Sequence, residues 1–469
     1  MPHVAFKSRI AAGAFGALVF GAAAFAQTSP APAPAAPPAS PLGIPLTATI
    51  TTPGYPAPGP ADPALRVLQT PGGKKVHVLP ATLETTQWGW FDNSQPPVLR
   101  VRSGDTIVLE TMMHSHNQVV PGATIEQIKK LRTDFPGRGP HTLTGPIYIE
   151  EAQPGDVLKV RINKIVPRAY ATNFNVPGLF GQFPSVYQDG QVKYLYLDLD
   201  NMTTEFLPGV VIPLQPFPGT LAVARKDPGR YSSVPPGEFA GNMDIRDFVA
   251  GSTLYVPVHV PGALLWTGDS HAGQGNGEVN LTAIETAYKE FNITVEVVKG
   301  KPLDFPRIET AKSWITMGFD QDLNKAWTQA KAQTVKFLSE QRGVSAADAE
   351  KLMPSVSDCR VSQVVNIKKG IHCLNPKNVR AKEDLERPTK ETPRYYVSHT
   401  KDADLNKAMN EASMGLIKLL ETEKKIARLD AYGLASVAMD CRVGSISDTE
   451  KNVHCVIPKS IWVASARKR

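Results

Sequence analysis

Cysteine is scarce in this sequence, with four residues in 469, and no two of them form a Cys-X-X-Cys motif. The chain also lacks the Gly-X-Ser-X-Gly turn of serine hydrolases and the Gly-X4-Gly-Lys-Ser/Thr loop that binds phosphates. Aromatic residues make up 7% of the chain, and the net charge of +7 is a mild excess without interleaved aromatics. These absences argue against a thiol-rich metal site, a nucleophile-elbow hydrolase, a phosphate-loop enzyme and a nucleic-acid partner.

Long apolar runs are absent except at the N-terminus. Lys7 and Arg9 precede an Ala/Gly-rich run over residues 10–25, which ends in Ala24-Phe25-Ala26. This order is typical of a cleaved signal peptide, and an uncleaved membrane anchor is the alternative. We therefore expect residues 1–26 to be a signal peptide, the mature chain to carry no membrane span, and the protein to be periplasmic or secreted.

Composition divides the rest of the chain into four regions. Residues 27–63 are rich in Pro and Ala and predict an extended linker. Residues 64–300 contain short β-type runs separated by Pro and Gly, which predict a β-sandwich-like domain. Two α/β units are predicted at 301–378 (copy 1) and 379–469 (copy 2). The predicted fold class is α+β, with the β-sandwich-like domain followed by a smaller α/β domain that contains a tandemly duplicated helix-hairpin unit.

The two copies are related by an offset of 82 residues. The recurring pairs are Asp322-Leu323-Asn324-Lys325-Ala326 with Asp404-Leu405-Asn406-Lys407-Ala408, Asp358-Cys359-Arg360-Val361 with Asp440-Cys441-Arg442-Val443, His372-Cys373 with His454-Cys455, and Pro376-Lys377 with Pro458-Lys459. Four matches at one offset without a gap predict a duplication. Each copy is expected to contain an amphipathic helix, a short second helix and a two-stranded ribbon.

The four cysteines fall into the repeat as two pairs with identical spacing. In an exported protein, Cys359 with Cys373 and Cys441 with Cys455 predict one local disulfide in each copy. A zinc site made by these cysteines with a neighbouring histidine is the alternative, which an oxidising compartment and the missing Cys-X-X-Cys motif disfavour. With both disulfides formed, no thiol remains as a nucleophile.

The densest group of chemically useful side chains lies between Gly268 and Glu278. Asp269, His271, Gln274 and Glu278 stand here among four glycines. Glycine lets a backbone bend so that such groups face one point, as a metal site or a water-activating site requires. A loop whose polar groups only satisfy its own backbone is an equally good interpretation of the spacing alone.

Three further positions offer ligands or pocket walls. Residues two apart on an extended chain point the same way, so His114 and His116 predict half of a metal site, with an exposed polar pair as the alternative. Asp244 offers a carboxylate in a turn, where a structural role is the alternative. Phe217 lies in a proline-stiffened segment that either walls a pocket or forms a rigid surface loop.

Several segments match a known family jointly, although none would do so alone. Gly268-Asp269-Ser270-His271-Ala272, followed by Gln274-Gly275 and Gly277-Glu278, is the most specific match. The others, in chain order, are residues 143–150, 154–158, 216–220, 241–244, 315–320 and 362–366. Over roughly residues 65–378, these motifs resemble the acetamidase/formamidase family.

The resemblance implies hydrolysis of formamide, acetamide or related short linear amides to a carboxylate and ammonia, and it implies a divalent metal, zinc or calcium. The site residues that we predict are Glu278, Asp269 and His271 for catalysis; His114, His116, Asp269 and His271 for the metal; and Gln274, Asp244, Glu150 and Phe217 for the substrate pocket. A cation there would activate water, and Glu278 would pass a proton to the departing ammonia.

Two departures from the family pattern leave a second hypothesis open. An Asp is expected after Glu110, where this chain has Met113 and then His114-Ser115-His116, and copy 2 is additional. Residues 430–436 of copy 2 resemble the family's usual helix more than the matching residues of copy 1 do. Copy 1, in contrast, keeps the family's segments before and after that helix. The alternative function is therefore a non-catalytic exported binding or cell-envelope protein on the same scaffold. The expected partner is a small amide, and a homo-oligomer is compatible with the sequence.

Overall fold

The structure, a computed structural model, describes residues 67–69 (backbone only), 72–378, 387–447 and 449–463. The predicted signal peptide at 1–26 and the predicted linker at 27–63 lie outside the described residues. Within the described ranges, no helix is long and apolar enough to span a bilayer.

Strands dominate the described chain, and the six helices among them are consistent with the predicted α+β class. Up to residue 300 they are β1 Val67–Gln69, β2 Lys75–Leu79, β3 Thr86–Trp88, β4 Trp90–Asp92, β5 Leu99–Val101, β6 Thr106–Leu109, β7 Thr142–Ile149, β8 Val157–Pro167, β9 Tyr170–Phe174, β10 Val192–Tyr196, β11 Thr203–Leu207, β12 Val210–Pro213, β13 Phe217–Val223, β14 Arg230–Ser232, β15 Ala240–Asn242, β16 Thr253–Pro257, β17 Leu265–His271, β18 Glu285–Thr286 and β19 Tyr288–Val298. Beyond residue 300 they are β20 Arg307–Glu309, β21 Ser313–Asp320, β22 Asp358–Gln363, β23 Lys369–Pro376, β24 Tyr395–Asp402, β25 Asp440–Ile446 and β26 Lys451–Pro458. The helices are α1 His114–Asn117, α2 Ile125–Thr133, α3 Leu323–Arg342, α4 Ala346–Val356, α5 Leu405–Thr422 and α6 Arg428–Ala438, with a 3-10 turn at Lys459–Ile461.

The larger sheet has 13 strands and includes strands from the β-rich region and from both copies. Its order is β1-β2-β6-β19-β8-β16-β20-β21-β23-β22-β25-β26-β24. The step from β20 to β21 is an ordinary antiparallel pair, with Ile308 opposite Ile315. The predicted boundary at residue 300 therefore lies within one continuous sheet.

The second sheet carries most of the candidate site. Its order is β10-β9-β18-β17-β13-β15, with β7 also paired to β17, and β3 and β5 paired to β7. Buried side chains from both large sheets, such as Ile107 and Phe291 in the first and Leu143 and Leu221 in the second, belong to one apolar cluster. The core thus lies between the two sheets, which is the arrangement that burial of one face of each sheet favours.

Both copies have the order strand, helix, helix, strand, strand. Copy 1 contains β21, α3, α4, β22 and β23, and copy 2 contains β24, α5, α6, β25 and β26. The first and last strands of copy 2 lie 82 residues after those of copy 1. The first strand of each copy, β21 and β24, is not among the predicted elements. The two disulfides, Cys359–Cys373 and Cys441–Cys455, join residues directly opposite each other in β22–β23 and β25–β26.

The copies meet across a local two-fold axis. The strand order β21-β23-β22-β25-β26-β24 reads the same from either end, and Arg360 of β22 lies opposite its equivalent, Arg442, in antiparallel β25. The helix N-termini repeat this relation, because Asn406 Oδ1 accepts from the Leu323 N–H at 3.1 Å and Asn324 Oδ1 accepts from the Leu405 N–H at 3.0 Å. The interface is isologous, like that of a two-fold dimer made within one chain.

Candidate functional site

Seven buried titratable side chains converge at one end of the second sheet. They are His114, His141, His271, Asp244, Asp269, Glu278 and Glu285. All but His271 line a cavity of about 70 Å³. Three imidazoles and four carboxylates form a concentration of ligand atoms that a core built only for packing does not contain.

The second sheet brings these side chains together from distant parts of the chain. His114 follows β6, His141 immediately precedes β7, and Glu285 opens β18. Asp269 and His271 lie on β17, which pairs with β7, β13 and β18. Neighbouring strands therefore place residues more than 150 positions apart within hydrogen-bond range, as the pair His114 and Asp269 shows.

Asp269 lies at the centre of the histidines. Its Oδ1 is 3.0 Å from His114 Nε2, 3.4 Å from His271 Nε2 and 3.6 Å from His141 Nε2. His141 Nδ1 lies 2.9 Å from Ser233 Oγ, which orients the ring so that Nε2 faces the cluster. Such outer hydrogen bonds are the usual means of fixing a ligating imidazole.

His271 connects Asp269 with the other carboxylates. Its Nε2 is 3.1 Å from Glu285 Oε2, and its Nδ1 is 3.6 Å from Asp244 Oδ1. Three overlapping groups each have ligand atoms within 4.8 Å of one another, namely His114, His141 and Asp269; Asp244, His271 and Glu278; and Asp269, His271 and Glu285.

Many of these buried atoms have no hydrogen-bond partner among the residues that the structure describes. They are Asp244 Oδ1, Glu278 Oε2, Glu285 Oε2, His114 Nδ1 and both ring nitrogens of His271. Buried polar atoms without partners are costly, so their concentration here requires an explanation. Although His114 Nε2 is hydrogen-bonded to Asp269 Oδ1, the remaining imidazole nitrogens and carboxylate oxygens converge as the ligands of a divalent cation do.

The backbone at the site is strained in a way that supports this interpretation. Asp244, Asp269 and Glu278 all have left-handed φ angles of 48°, 52° and 50°. Such conformations are uncommon outside glycine and concentrate at functional sites. Gly219 allows the convergence, because a Cβ there would lie 2.5 Å from Asp244 Oδ1 and 2.5 Å from Asp269 Oδ2.

Burial and mutual charge shift the ionisation of the cluster. Burial alone would lower the pKa of His114, but the carboxylates of Glu285 and Asp269 raise it to about 9. Burial and the neighbouring Asp269 raise the pKa of Asp244 to about 7. Burial and the neighbouring Asp244 also raise the pKa of Glu278 well above its usual range. A carboxylic acid that keeps its proton near neutral pH is suited to proton transfer.

The structure does not bring His116 into this cluster. Ser115 and His116 both have a φ of 53°, so the chain turns away from the extended conformation on which the two-residue spacing argument depends. His116 instead lies beside Trp88, and burial together with Arg138 lowers the pKa of its ring to about 4. Of the predicted histidine pair, only His114 reaches the cavity.

Of the predicted pocket residues, only Asp244 lines the cavity. Glu150 is exposed and pairs with Arg100 at 2.8 Å, because its side chain points to solvent at the end of β7. Phe217 is buried behind the cluster, with its ring 5.0 Å from that of His271. Gln274 donates to the backbone oxygens of Asp244 and Ser362 at 3.3 and 3.2 Å, so it supports the site from behind.

His141, Glu285 and Asn366 also line the cavity but are not among the predicted site residues. His141 stands two residues before the family-like segment at 143–150, Glu285 lies seven residues after Glu278, and Asn366 ends the family-like segment at 362–366. The side-chain amide of Asn366 donates to Asp244 Oδ2. Proximity to matched segments was the available signal, but only strand pairing shows that these three residues meet.

The upper part of the cavity is apolar. Its apolar side chains come mainly from α2, β9, the segment after β9 and the tip of the β22–β23 hairpin, and they are Val119, Ile128, Leu131, Phe174, Val176, Phe180, Val234, Leu281, Val365 and Ile367. Arg132 of α2 also lines this part of the cavity. A polar floor beneath an apolar wall is typical of a site for a small molecule. Fold and site together define an α+β protein with a buried histidine–carboxylate centre suited to a divalent cation.

Comparison with known proteins gives the family. The model of the Acetamidase/Formamidase family matches residues 82–228 and 228–379, more than half of the chain, and the chain therefore belongs to this family. An acetamidase from Mycolicibacterium smegmatis is 29% identical over 219 residues, covering 34% of this chain and 54% of the relative. A formamidase from Methylophilus methylotrophus is 24% identical over 41% of this chain and 59% of the relative. The chain thus spans little more than half the length of these curated relatives.

A solved structure shows the same fold. An acetamidase from Yersinia enterocolitica is 26% identical, with a TM-score of 0.60 over 70% of this chain and 98% of the solved chain. Nearly the whole of that chain is therefore matched by 70% of this one.

Proposed function

We propose that this protein hydrolyses short linear amides, of the formamide and acetamide type, to a carboxylate and ammonia with the help of a bound divalent cation. The observation that carries the proposal is the group of unpartnered carboxylate and imidazole atoms around a cavity of about 70 Å³. The cavity's small size and apolar wall favour a small uncharged substrate. The names of the relatives supply the bond type.

The donor set favours zinc over calcium. Each of the three groups contains at least one imidazole, and calcium prefers oxygen ligands only, whereas zinc accepts nitrogen and oxygen together. His114, His141 and Asp269 form one candidate ligand set, and His271 with Glu285 and Asp269 forms another. The bound cation would supply a Lewis acid that polarises an amide carbonyl and lowers the pKa of water.

The chain's own residues would handle the proton and the orientation of the substrate. Glu278 would deliver a proton to the departing nitrogen, because its Oε2 is unpartnered at the cavity and its buried position favours the protonated form. Asn366 would hold the Asp244 carboxylate in place through its amide. The largely apolar wall would limit entry of water.

We also propose that the protein works outside the cytoplasm. The signal-peptide pattern over residues 1–26 supports export, and two disulfides suit an oxidising compartment. The intact mass of the protein recovered from the cell envelope or medium tests this, and retention of Met1 to Ala26 would contradict it.

Ammonia release from formamide, acetamide, propionamide and benzamide tests the function. We expect turnover of the smallest amides, loss of turnover with a strong chelator and recovery on adding zinc but not calcium. Benzamide should be a poor substrate because the cavity is small. A metal-loaded protein that binds amides without releasing ammonia would instead support the non-catalytic binding function.

A further inference from the structure

Helix α6 of copy 2 packs directly against the loop that carries two of the site's carboxylates. This loop, residues 275–285 (the carboxylate loop), contains Glu278 and ends at Glu285. The hydroxyl of Tyr432, in α6, donates to the backbone oxygen of Val279 at 2.7 Å, directly after Glu278. It also accepts from the Phe183 N–H at 3.2 Å, so both of its hydrogen-bonding directions are used.

Ser436, one helical turn further along α6, fixes the middle and the start of the same loop. Its hydroxyl donates to the Thr282 backbone oxygen at 2.7 Å and accepts from the Asn280 N–H at 3.2 Å. Its backbone oxygen accepts from the Gly275 N–H at 2.8 Å. Tyr432 and Ser436 are both buried, so these hydrogen bonds do not compete with bulk water.

The approach between helix and loop is as close as the backbone allows. A Cβ at Gly275 would lie 2.6 Å from the Met439 oxygen and 2.8 Å from the Ser436 oxygen. A glycine at this position of the loop marks a place where its backbone must meet the backbone of α6. The close contact is therefore built into the loop.

Copy 1 lacks these contact residues at the matching positions. An offset of 82 residues relates Tyr432 to Glu350, and Ser436 to Pro354. Glu350 pairs with Lys331 at the surface of α4, and a proline has no hydroxyl to donate. The two copies share their fold, so the difference lies in what each second helix does.

We propose that Tyr432 and Ser436 are positioning residues of the active site, which hold the carboxylate loop and thereby place Glu278 and Glu285. Glu278 has a left-handed φ of 50°, a conformation that persists only where the surroundings fix it. Copy 2 is then a working part of the site. The inference rests on the proposed function for its effect on turnover, but not for its effect on the loop.

The test compares Tyr432→Phe, Ser436→Ala and the double variant with two matched controls in the full chain. Tyr255→Phe removes a hydroxyl that donates to Glu309 at 2.8 Å away from the cavity, and Ser355→Ala removes a serine hydroxyl from exposed α4. Deuterium uptake of the peptides covering residues 275–285, zinc content, and kcat and KM for the best amide would be measured for all five variants.

We expect faster deuterium uptake in the carboxylate loop for the α6 variants only. The double variant should lose about tenfold or more in kcat with KM changed less than about twofold, because displaced catalytic groups affect the reaction more than binding. Unchanged loop exchange in the double variant would overturn the inference even if wild type releases no ammonia. Faster exchange with normal kcat would also overturn it, whereas an inactive wild type with faster exchange would overturn only the proposed function.

Discussion

Copy 1 and copy 2 have the same fold but meet the candidate site with different elements. Copy 1 contributes the tip of its β22–β23 hairpin, where Val365, Asn366 and Ile367 line the cavity. Copy 2 contributes the face of α6 to the carboxylate loop. The described residues at the matching hairpin tip of copy 2, Ser447 and Thr449, are exposed, and most side chains of the matching helix of copy 1, α4, are exposed or half-buried. The two copies have thus kept the same fold after the duplication, but each contacts the site with a different element.

The anchoring of the two hairpins shows the same division. In copy 1, Ser362 Oγ lies 2.9 Å from His372 Nδ1, and His372 Nε2 lies 3.1 Å from Asp247 Oδ2. This array ties the hairpin to the segment that carries Asp244. In copy 2, Gly444 replaces the serine, and His454 lies 3.2 Å from the Pro388 oxygen instead.

The largest difference between the two copies in their effect on turnover is expected at the hairpin tips. Asn366→Asp should lower turnover by about 10²-fold or more, because a carboxylate beside buried Asp244 repels it and displaces the site. Thr449→Ala, in the corresponding hairpin of copy 2, should leave turnover unchanged. Rates of ammonia release at saturating substrate check both, and equal rates for the two variants would remove the copy 1 hairpin from the site.

The disulfides, by contrast, should behave alike. Replacing either cysteine pair by serine opens a separation of 14 residues in both copies, so each should reduce the free energy of unfolding by about 3 kcal/mol in the chain-entropy model. Denaturant unfolding monitored by circular dichroism measures this. A large loss for one pair and none for the other would show that the copies are not equivalent in stability.

The equivalent histidines of the two ribbons, His372 and His454, should differ in their effect on kcat. A displacement of catalytic groups by a full ångström lowers the rate by ~10²-fold. His372→Ala should lower kcat by only roughly tenfold, because losing this anchor loosens the hairpin only partly. His454→Ala should have little effect on kcat, since its ring contacts the Pro388 backbone and stacks on His399, neither of which lines the cavity. Matched melting temperatures of both variants would show that the difference is local to the site.

The smallest effect should be symmetric. Asn324→Ala and Asn406→Ala each remove one reciprocal cap across the two-fold axis, together with amide hydrogen bonds to Asp322 and Asp404 near the surface. Because water can replace the bonds to these carboxylates, each substitution should lower the free energy of unfolding by about 1 kcal/mol net. Neither should change kcat. If denaturant unfolding gave different losses in the free energy of unfolding for the two variants, the two symmetric caps would not contribute equally to stability.

Local patterns predicted those features that depend on short stretches of chain. The 82-residue offset predicted the duplication and both disulfides. The stretch from Gly268 to Glu278 predicted a group of titratable side chains, but Asp269 and His271 lie on strand β17 and not on the predicted loop. His141 and Glu285 were missed because β7, β17 and β18 bring them to Asp269 through pairing between distant strands. His116 was assigned to the metal because nothing in the sequence reveals the left-handed turn at Ser115. The first strand of each copy was missed because it pairs with the last strand of the same copy, which is distant in the sequence.

The central claim is that one buried histidine–carboxylate centre holds the cation and performs the hydrolysis. Zinc content and ammonia release, measured together on His271→Ala, Glu278→Gln and the control His116→Ala, test it most directly. We predict that His271→Ala loses zinc and activity, that Glu278→Gln keeps zinc but loses about 10²-fold or more in rate, and that His116→Ala keeps both. Full activity in His271→Ala would contradict the claim.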